Sequence, residues 1–215
     1  SDGLDLLYCR PGSSIELRRV YAEGNAGNQI KTSGPVVMEN VVAIGNCGFF
    51  EGRPENFFVD HCRALGNVLS LALYRGDRAS IINSTISGEG DCMLIAECSG
   101  QCDGTERVTG RNLLFLGQTD FLQPFELTCL TYQESFPTDP FDISDSLVYR
   151  VKEDACPGAR TICGRDPLLR NMGLDTFDFL LTSSSPAIDA GTAAGAPALD
   201  YDLRPRRGAP DIGAS

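Results

Sequence analysis

Ile15-Glu16-Leu17-Arg18-Arg19-Val20-Tyr21-Ala22-Glu23-Gly24-Asn25 and Val36-Val37-Met38-Glu39-Asn40-Val41-Val42-Ala43-Ile44-Gly45-Asn46 align without a gap, 21 residues apart. Phe57 to Asn67 continues the series at the same interval, and Ala79 to Glu89 follows 22 residues later. Self-similarity at a fixed period of this length marks a repeat architecture. Down the columns, Leu17, Met38, Val59 and Ile81 coincide, as do Val20, Val41, Cys62 and Ser84, and Ala22, Ala43, Ala64 and Ile86. Apolar columns alternate with mixed ones, the period-two pattern of a strand with one buried face.

The alternation breaks once, at a column holding Arg19, Asn40, His61 and Asn83. A polar column rich in Asn at such a break reads as a tight turn, because Asn tolerates the left-handed conformation that turns require. The Gly-Asn pairs mark the next corner for the same reason, and stacked corner side chains can bond along the repeat as amide ladders do. A helical repeat needs a helix in each unit, and these Gly-, Asn- and Val-rich units hold none. The expectation is an all-β, right-handed parallel β-helix, with like residues stacked about 4.8 Å apart.

Beyond residue 90 the beat loosens. Asn112 to Gly117 repeats the corner–strand–Gly unit 29 residues after Asn83, and Asp145 to Tyr149 does so 33 further on. Residues 97–110 and 118–142 are therefore expected as insertions leaving the coils. The second, with Phe121, Phe125, Tyr132, Phe136 and Phe141 among several prolines, reads as cover on a flank or as the wall of a ligand groove. Coils over 1–165 and a final coil with cap over 166–215 would make one domain, and Ser1 to Leu6 already resembles coil sequence.

The 215 residues carry a formal charge of −11, with a pI near 4.5. That balance disfavours nucleic acid and anionic membrane surfaces as partners. No run of apolar residues is long enough for a membrane span. Nine cysteines point to an oxidising compartment, extracellular, cell-surface or periplasmic. Cys156 and Cys163, around a short Pro-Gly segment, are the first disulfide pair expected, and Cys92, Cys98, Cys102 and Cys129 supply two more. Cys62, in an inward column, reads as a small buried hydrophobe. Cys98-x3-Cys102 is half a zinc pattern without a second half.

Ser184-Ser185-Pro186-Ala187-Ile188-Asp189-Ala190-Gly191-Thr192, Asp200-Tyr201-Asp202-Leu203-Arg204-Pro205-Arg206 and Asp211-Ile212-Gly213-Ala214 close the chain. They resemble the C-terminal end of secreted bacterial right-handed parallel β-helix proteins of the pectate-lyase-like superfamily, with Leu203 standing where that pattern has Gly. The resemblance implies fold and secretion but no particular reaction. Physically, such a tail reads as a cap over unpaired strand edges. Asp200, Asp202, Arg204 and Arg206 would pair within it, with Ca²⁺ on Asp200 and Asp202 as the alternative.

Enzymes of that superfamily mostly act on acidic polysaccharides along an outer face. A lyase needs a base and a cation beside the uronate carboxylate. Lys31 and Arg75 each end a strand after a Gly-Asn corner and would share a face with Asp5, Glu51 and Glu97. A glycosidase needs two carboxylates about 5 to 9 Å apart, and the alignment puts Glu39 and Asp60 in one column beside His61. The bland reading makes Lys31 and Arg75 a solvated edge, and Asp60 and the lone His61 corner residues. Two functions follow: a non-catalytic structural or polysaccharide-contacting module, or a fragment of a lyase or hydrolase of acidic glycans using Lys31, Asp60, His61 and Arg75. Assembly through the N-terminal coil is a third expectation. No Ser/His/Asp triad, phosphate loop or nucleotide fingerprint is present.

Overall fold

The structure, a computed structural model, describes residues 2–7, 12–25, 27–45, 67–88, 92–117, 127–172 and 177–215. It is almost entirely β. Sheet A holds β1 (Leu4–Leu6), β4 (Ile30–Ser33), β7 (Leu69–Tyr74), β10 (Cys92–Gly100) and β13 (Cys129–Glu134). Sheet B holds β2 (Ile15–Arg18), β5 (Val36–Glu39), β8 (Arg78–Ile82), β11 (Arg107–Arg111) and β14 (Phe141–Ser144). Sheet C holds β3 (Tyr21–Glu23), β6 (Val42–Gly45), β9 (Thr85–Gly88), β12 (Leu114–Gly117), β15 (Leu147–Tyr149) and β16 (Ile162–Cys163). The chain visits the sheets in the order A, B, C and then returns to A, and each strand pairs in parallel with its counterparts in neighbouring circuits.

The inward columns predicted from the sequence form the core. Leu17, Met38 and Ile81 stack in sheet B, Ala22, Ala43 and Ile86 in sheet C, and all six are buried with Ile30, Leu69 and Leu94 of sheet A in one cluster. The corner column is left-handed throughout its described members: φ is 53° at Arg19, 52° at Asn40, 45° at Asn83, 54° at Asn112 and 52° at Asp145. Asn112 Nδ2 donates to Asn83 Oδ1 at 3.1 Å, so the amide ladder exists at that step. One position later, Ser84 Oγ accepts from Val41 N–H at 3.0 Å, and Ser146 Oγ accepts from Leu113 N–H at 3.2 Å.

Four expectations are corrected. Val36 pairs with Ala79 and Gly45 with Gly88, so the neighbour of the second unit lies 43 residues on rather than 21. The third unit, apart from Asn67, lies outside the described residues. Among the described glycines of that corner, Gly24, Gly45 and Gly88, only Gly24 is left-handed (φ 70°). At Gly45 the need is space instead: a Cβ there would stand 2.8 Å from Val68 Cγ2, and at Gly88 it would clash with the same methyl. Of the expected insertions, 97–100 belongs to β10 and 107–110 to β11. Likewise 129–134 is β13 and 141–142 belongs to β14. The alternation of β10 beyond Glu97 and of β13 is weakly patterned in sequence, so these stretches resemble loop there.

The fourth correction concerns the cap. Residues 150–161 take that place at the last circuit. Val151 and Ala155 join the core, Gly158 sits too close to the Ile143 carbonyl to admit a Cβ, and Cys156 is bonded to Cys163. Arg160 grips Asp145 through both guanidinium donors. The tail from residue 166, including the antiparallel hairpin β17 (Leu169–Asn171) and β18 (Asp178–Leu181), lies along the outer face of sheet C instead. Val42, Ile44, Leu114, Leu116 and Leu147 point outward there and are fully buried under Leu169, Phe177, Ala187, Ile212 and Ala214. The corner asparagines hold the tail: Nδ2 of Asn40, Asn83 and Asn112 donates to the carbonyls of Leu199, Asp211 and Thr192 at 2.8, 2.9 and 2.8 Å. A face already apolar on both sides needs covering more than an end closed by its own loop does.

Candidate functional site

The register of sheet A builds its outer face. One column runs Asp5, Lys31, Ser70, Ile95, Tyr132, and the next runs Ser33, Ala72, Glu97, Glu134. Side chains alternate across a strand, so the buried Ile30, Leu69 and Leu94 force these neighbours outward. Asp5, Glu97 and Glu134 are exposed, as are Tyr132 (52%) and Tyr74 (39%). A Cβ on Gly100 would stand 3.4 Å from Tyr74 Cδ1, so the Tyr74 ring lies across that bare stretch of backbone. By strand geometry Tyr74 and Tyr132 are roughly 16 Å apart. Two amphipathic rings on a polar face offer flat apolar surface with a wet hydroxyl.

Two disulfides frame this face. Cys92–Cys129 joins register partners of β10 and β13, and Cys98–Cys102 closes the turn that follows. All four cysteines are thus paired as two bridges, and the half-zinc pattern is a disulfide. That turn is tied down by Glu106, which is buried and accepts from the N–H groups of Gly76, Asp103 and Gly104 at 2.9, 3.2 and 3.0 Å. Burial opposes its charge, but those backbone bonds outweigh it and hold the carboxyl below the usual range.

The predicted residues are distributed as follows. Lys31 sits in β4 beside Asp5. Arg75 lies past the end of β7, and its Nε donates to Asp103 Oδ2 at 2.7 Å; it is not on the strand face with Lys31. Asp60, His61 and Glu51 lie outside the described residues, as does Cys62. Glu39 stands between Arg18 and Ile82 in its ladder and pairs with Arg18 at 3.1 Å. Asp200 and Asp202 line a cavity of about 210 Å³ with Arg170, Tyr201 and Asp211. Asp200 Oδ1 accepts from Arg204 N–H at 2.8 Å, and Asp202 pairs with the Arg204 guanidinium at 3.3 Å. Burial pushes the nearby Asp211 carboxyl up, against the bond it accepts from Asp189 N–H. Among the described residues no group of three or more His, Cys, Asp or Glu side chains is placed to hold a metal ion. No described helix is long and apolar enough to cross a membrane.

Only the register of sheet A brings Tyr74 and the Glu97/Glu134 pair to one face. The signal for Tyr74 was the strict alternation Leu69-Ser70-Leu71-Ala72-Leu73-Tyr74. Tyr132, which the sequence groups with an aromatic excursion, lies in β13, where Leu130 lines the core; Phe121 and Phe125 of that excursion lie outside the described residues.

Comparison with protein-family models, with curated proteins and with solved structures returned no match.

Proposed function

We propose that this chain is a right-handed parallel β-helix module of an exported protein, non-catalytic by itself, that contacts polysaccharide through the outer face of sheet A. Parallel strands linked by crossovers take the right hand in about 98% of cases, which supports the solenoid reading of the A, B, C circuit. Three disulfides among the described residues favour an oxidising compartment outside the cytoplasm. The observation that carries the functional reading is the pair of exposed tyrosines, Tyr74 and Tyr132, on a polar sheet face. The outer face of sheet C is taken by the tail, and that of sheet B carries the pairs Arg18–Glu16, Arg18–Glu39 and Arg111–Asp142.

The acidic-glycan lyase reading is disfavoured by charge. Arg75 is engaged by Asp103, and Lys31 faces a column and neighbourhood holding Asp5, Glu97 and Glu134. A polyanion would meet net repulsion there. A hydrolase reading is favoured by one observation: Glu97 and Glu134 are exposed register partners on adjacent strands about 4.8 Å apart.

Affinity electrophoresis against neutral and acidic polysaccharides tests both. Retardation by a neutral polymer, reduced about tenfold or more in Kd by Tyr74→Ala with Tyr132→Ala, is the expected result. Binding unchanged in that double variant, or no binding to any polymer, overturns the proposal. Release of reducing ends that Glu97→Gln or Glu134→Gln abolishes would establish the hydrolase instead.

A further inference from the structure

The sequence contains a single Asn-X-Ser/Thr triplet, Asn83-Ser84-Thr85, the acceptor pattern for N-linked glycosylation. An N-linked sugar is bulky and belongs on solvated surface. Asn83 is fully buried. Its Nδ2 donates to Asp211 O at 2.9 Å and to Gly213 O at 3.4 Å, while its Oδ1 accepts from Asn112 Nδ2 at 3.1 Å. Thr85 is buried as well, and its Oγ1 accepts from Ala214 N–H at 3.2 Å. Every polar group of the motif that a transferase would have to address is committed to the tail or to the neighbouring circuit.

We infer that a glycan on Asn83 and the docking of the tail on sheet C are mutually exclusive, so that a chain glycosylated at Asn83 does not reach its native state. Transfer joins Asn83 Nδ2 to the anomeric carbon of an oligosaccharide carried on a lipid pyrophosphate. One amide hydrogen leaves as a proton, and the lipid pyrophosphate is released. The product has one N–H fewer, and its sugar occupies the volume held by Asp211 and Gly213. Val42, Ile44, Leu114, Leu116 and Leu147 then lose their cover, and an exposed apolar face of that size invites aggregation. Beside the three disulfides of the described residues, the buried motif separates two oxidising environments that cysteine content alone leaves equivalent: one without N-linked transfer leaves every chain able to fold, whereas a glycosylating lumen diverts the chains it modifies.

The test modifies the full chain directly. Reduced, unfolded protein is treated with purified oligosaccharyltransferase and a lipid-linked oligosaccharide, then refolded oxidatively beside a mock-treated sample; folded protein is treated in parallel. Limited proteolysis reads the tail and a mass shift reads the sugar. Folded protein should stay unmodified. The glycosylated chain should lose its tail about tenfold or more faster than the refolded mock sample, as the loss of two or more buried hydrogen bonds implies. A glycosylated chain whose tail is as protected as that of the mock sample overturns the inference, as does sugar installed on folded protein with protection intact.

Discussion

Thr32 occupies an inward column of sheet A between Leu6 and Leu71; it is fully buried, and its Oγ1 has no hydrogen-bond partner among the described residues. A buried hydroxyl without a partner carries its full desolvation cost. Thr32→Val keeps volume and strand preference while removing that cost. It should raise stability by about 1 kcal/mol, which corresponds to roughly 2–4 °C in Tm for a chain of this size, measured by calorimetry. Asp145 presents the opposite case. The Arg160 guanidinium, with the Ser144 hydroxyl, holds its buried carboxyl below the usual range although burial opposes this. A carboxyl with a depressed folded-state pKa adds stability above its unfolded value of about 3.9 and loses it as pH falls through the lower folded value. Arg160→Ala should therefore melt a few degrees below the parent at pH 7, with the two curves converging below about pH 4; a constant gap down to pH 2 would rule out the ionic origin.

The elements of this molecule are short, and the corner between sheets B and C sets their register. Asn112 shows why. Its φ of 54° favours Asn or Gly, yet Gly could not donate to Asn83 and Thr192 at 3.1 and 2.8 Å or accept from Thr192 N–H at 2.7 Å. Asn112→Ala loses the bonds and strains the backbone, for a cost of about 2–4 kcal/mol. Asn112→Gly loses the bonds alone and should be milder by about 1 kcal/mol. Urea denaturation of both variants separates the two contributions, and equal costs would mean that the left-handed backbone carries no strain. The same scale explains what the sequence reading caught and missed. Strands of sheets B and C are flanked by the corner, whose Asn and Gly are visible in text. Sheet A strands end in varied turns, such as Arg75-Gly76-Asp77 held by Asp77 and Glu106, so neither Glu97–Gly100 nor Cys129–Glu134 announced itself as strand.

At the scale of the whole molecule, the tail is a side wall. It buries five outward-facing aliphatic residues of sheet C, each contributing about 1.5–3 kcal/mol when covered. That total is comparable to the 5–15 kcal/mol that separates a folded domain from its unfolded chain. A chain ending at residue 165 should therefore fail to give a soluble monomer, and should bind a hydrophobic dye or elute as aggregate in size-exclusion chromatography. A monodisperse, cooperatively melting product would show that the tail is dispensable cover. The same wall leaves sheet A as the broad face on which Tyr74 and Tyr132 stay exposed, so tail and candidate site are linked by which face each occupies.

Local chemistry decided the corners, because a left-handed residue between two alternating apolar runs admits Asn, Asp or a strained substitute, and that restriction is written in each unit. It also announced Cys156 with Cys163, whose separation of seven residues makes the pairing nearly local. The partner of each unit in the stack depended on tertiary structure. Pairing Val36 with Ala79 across 43 residues needs only that the intervening chain close a loop, and the cost of closure grows slowly with length. Loop closure therefore leaves the 21-residue beat free to be broken. The docking of the tail on sheet C was likewise settled by the folded surface, since an outward Val42 or Leu114 becomes a demand for cover only once the strands on either side have made one apolar face.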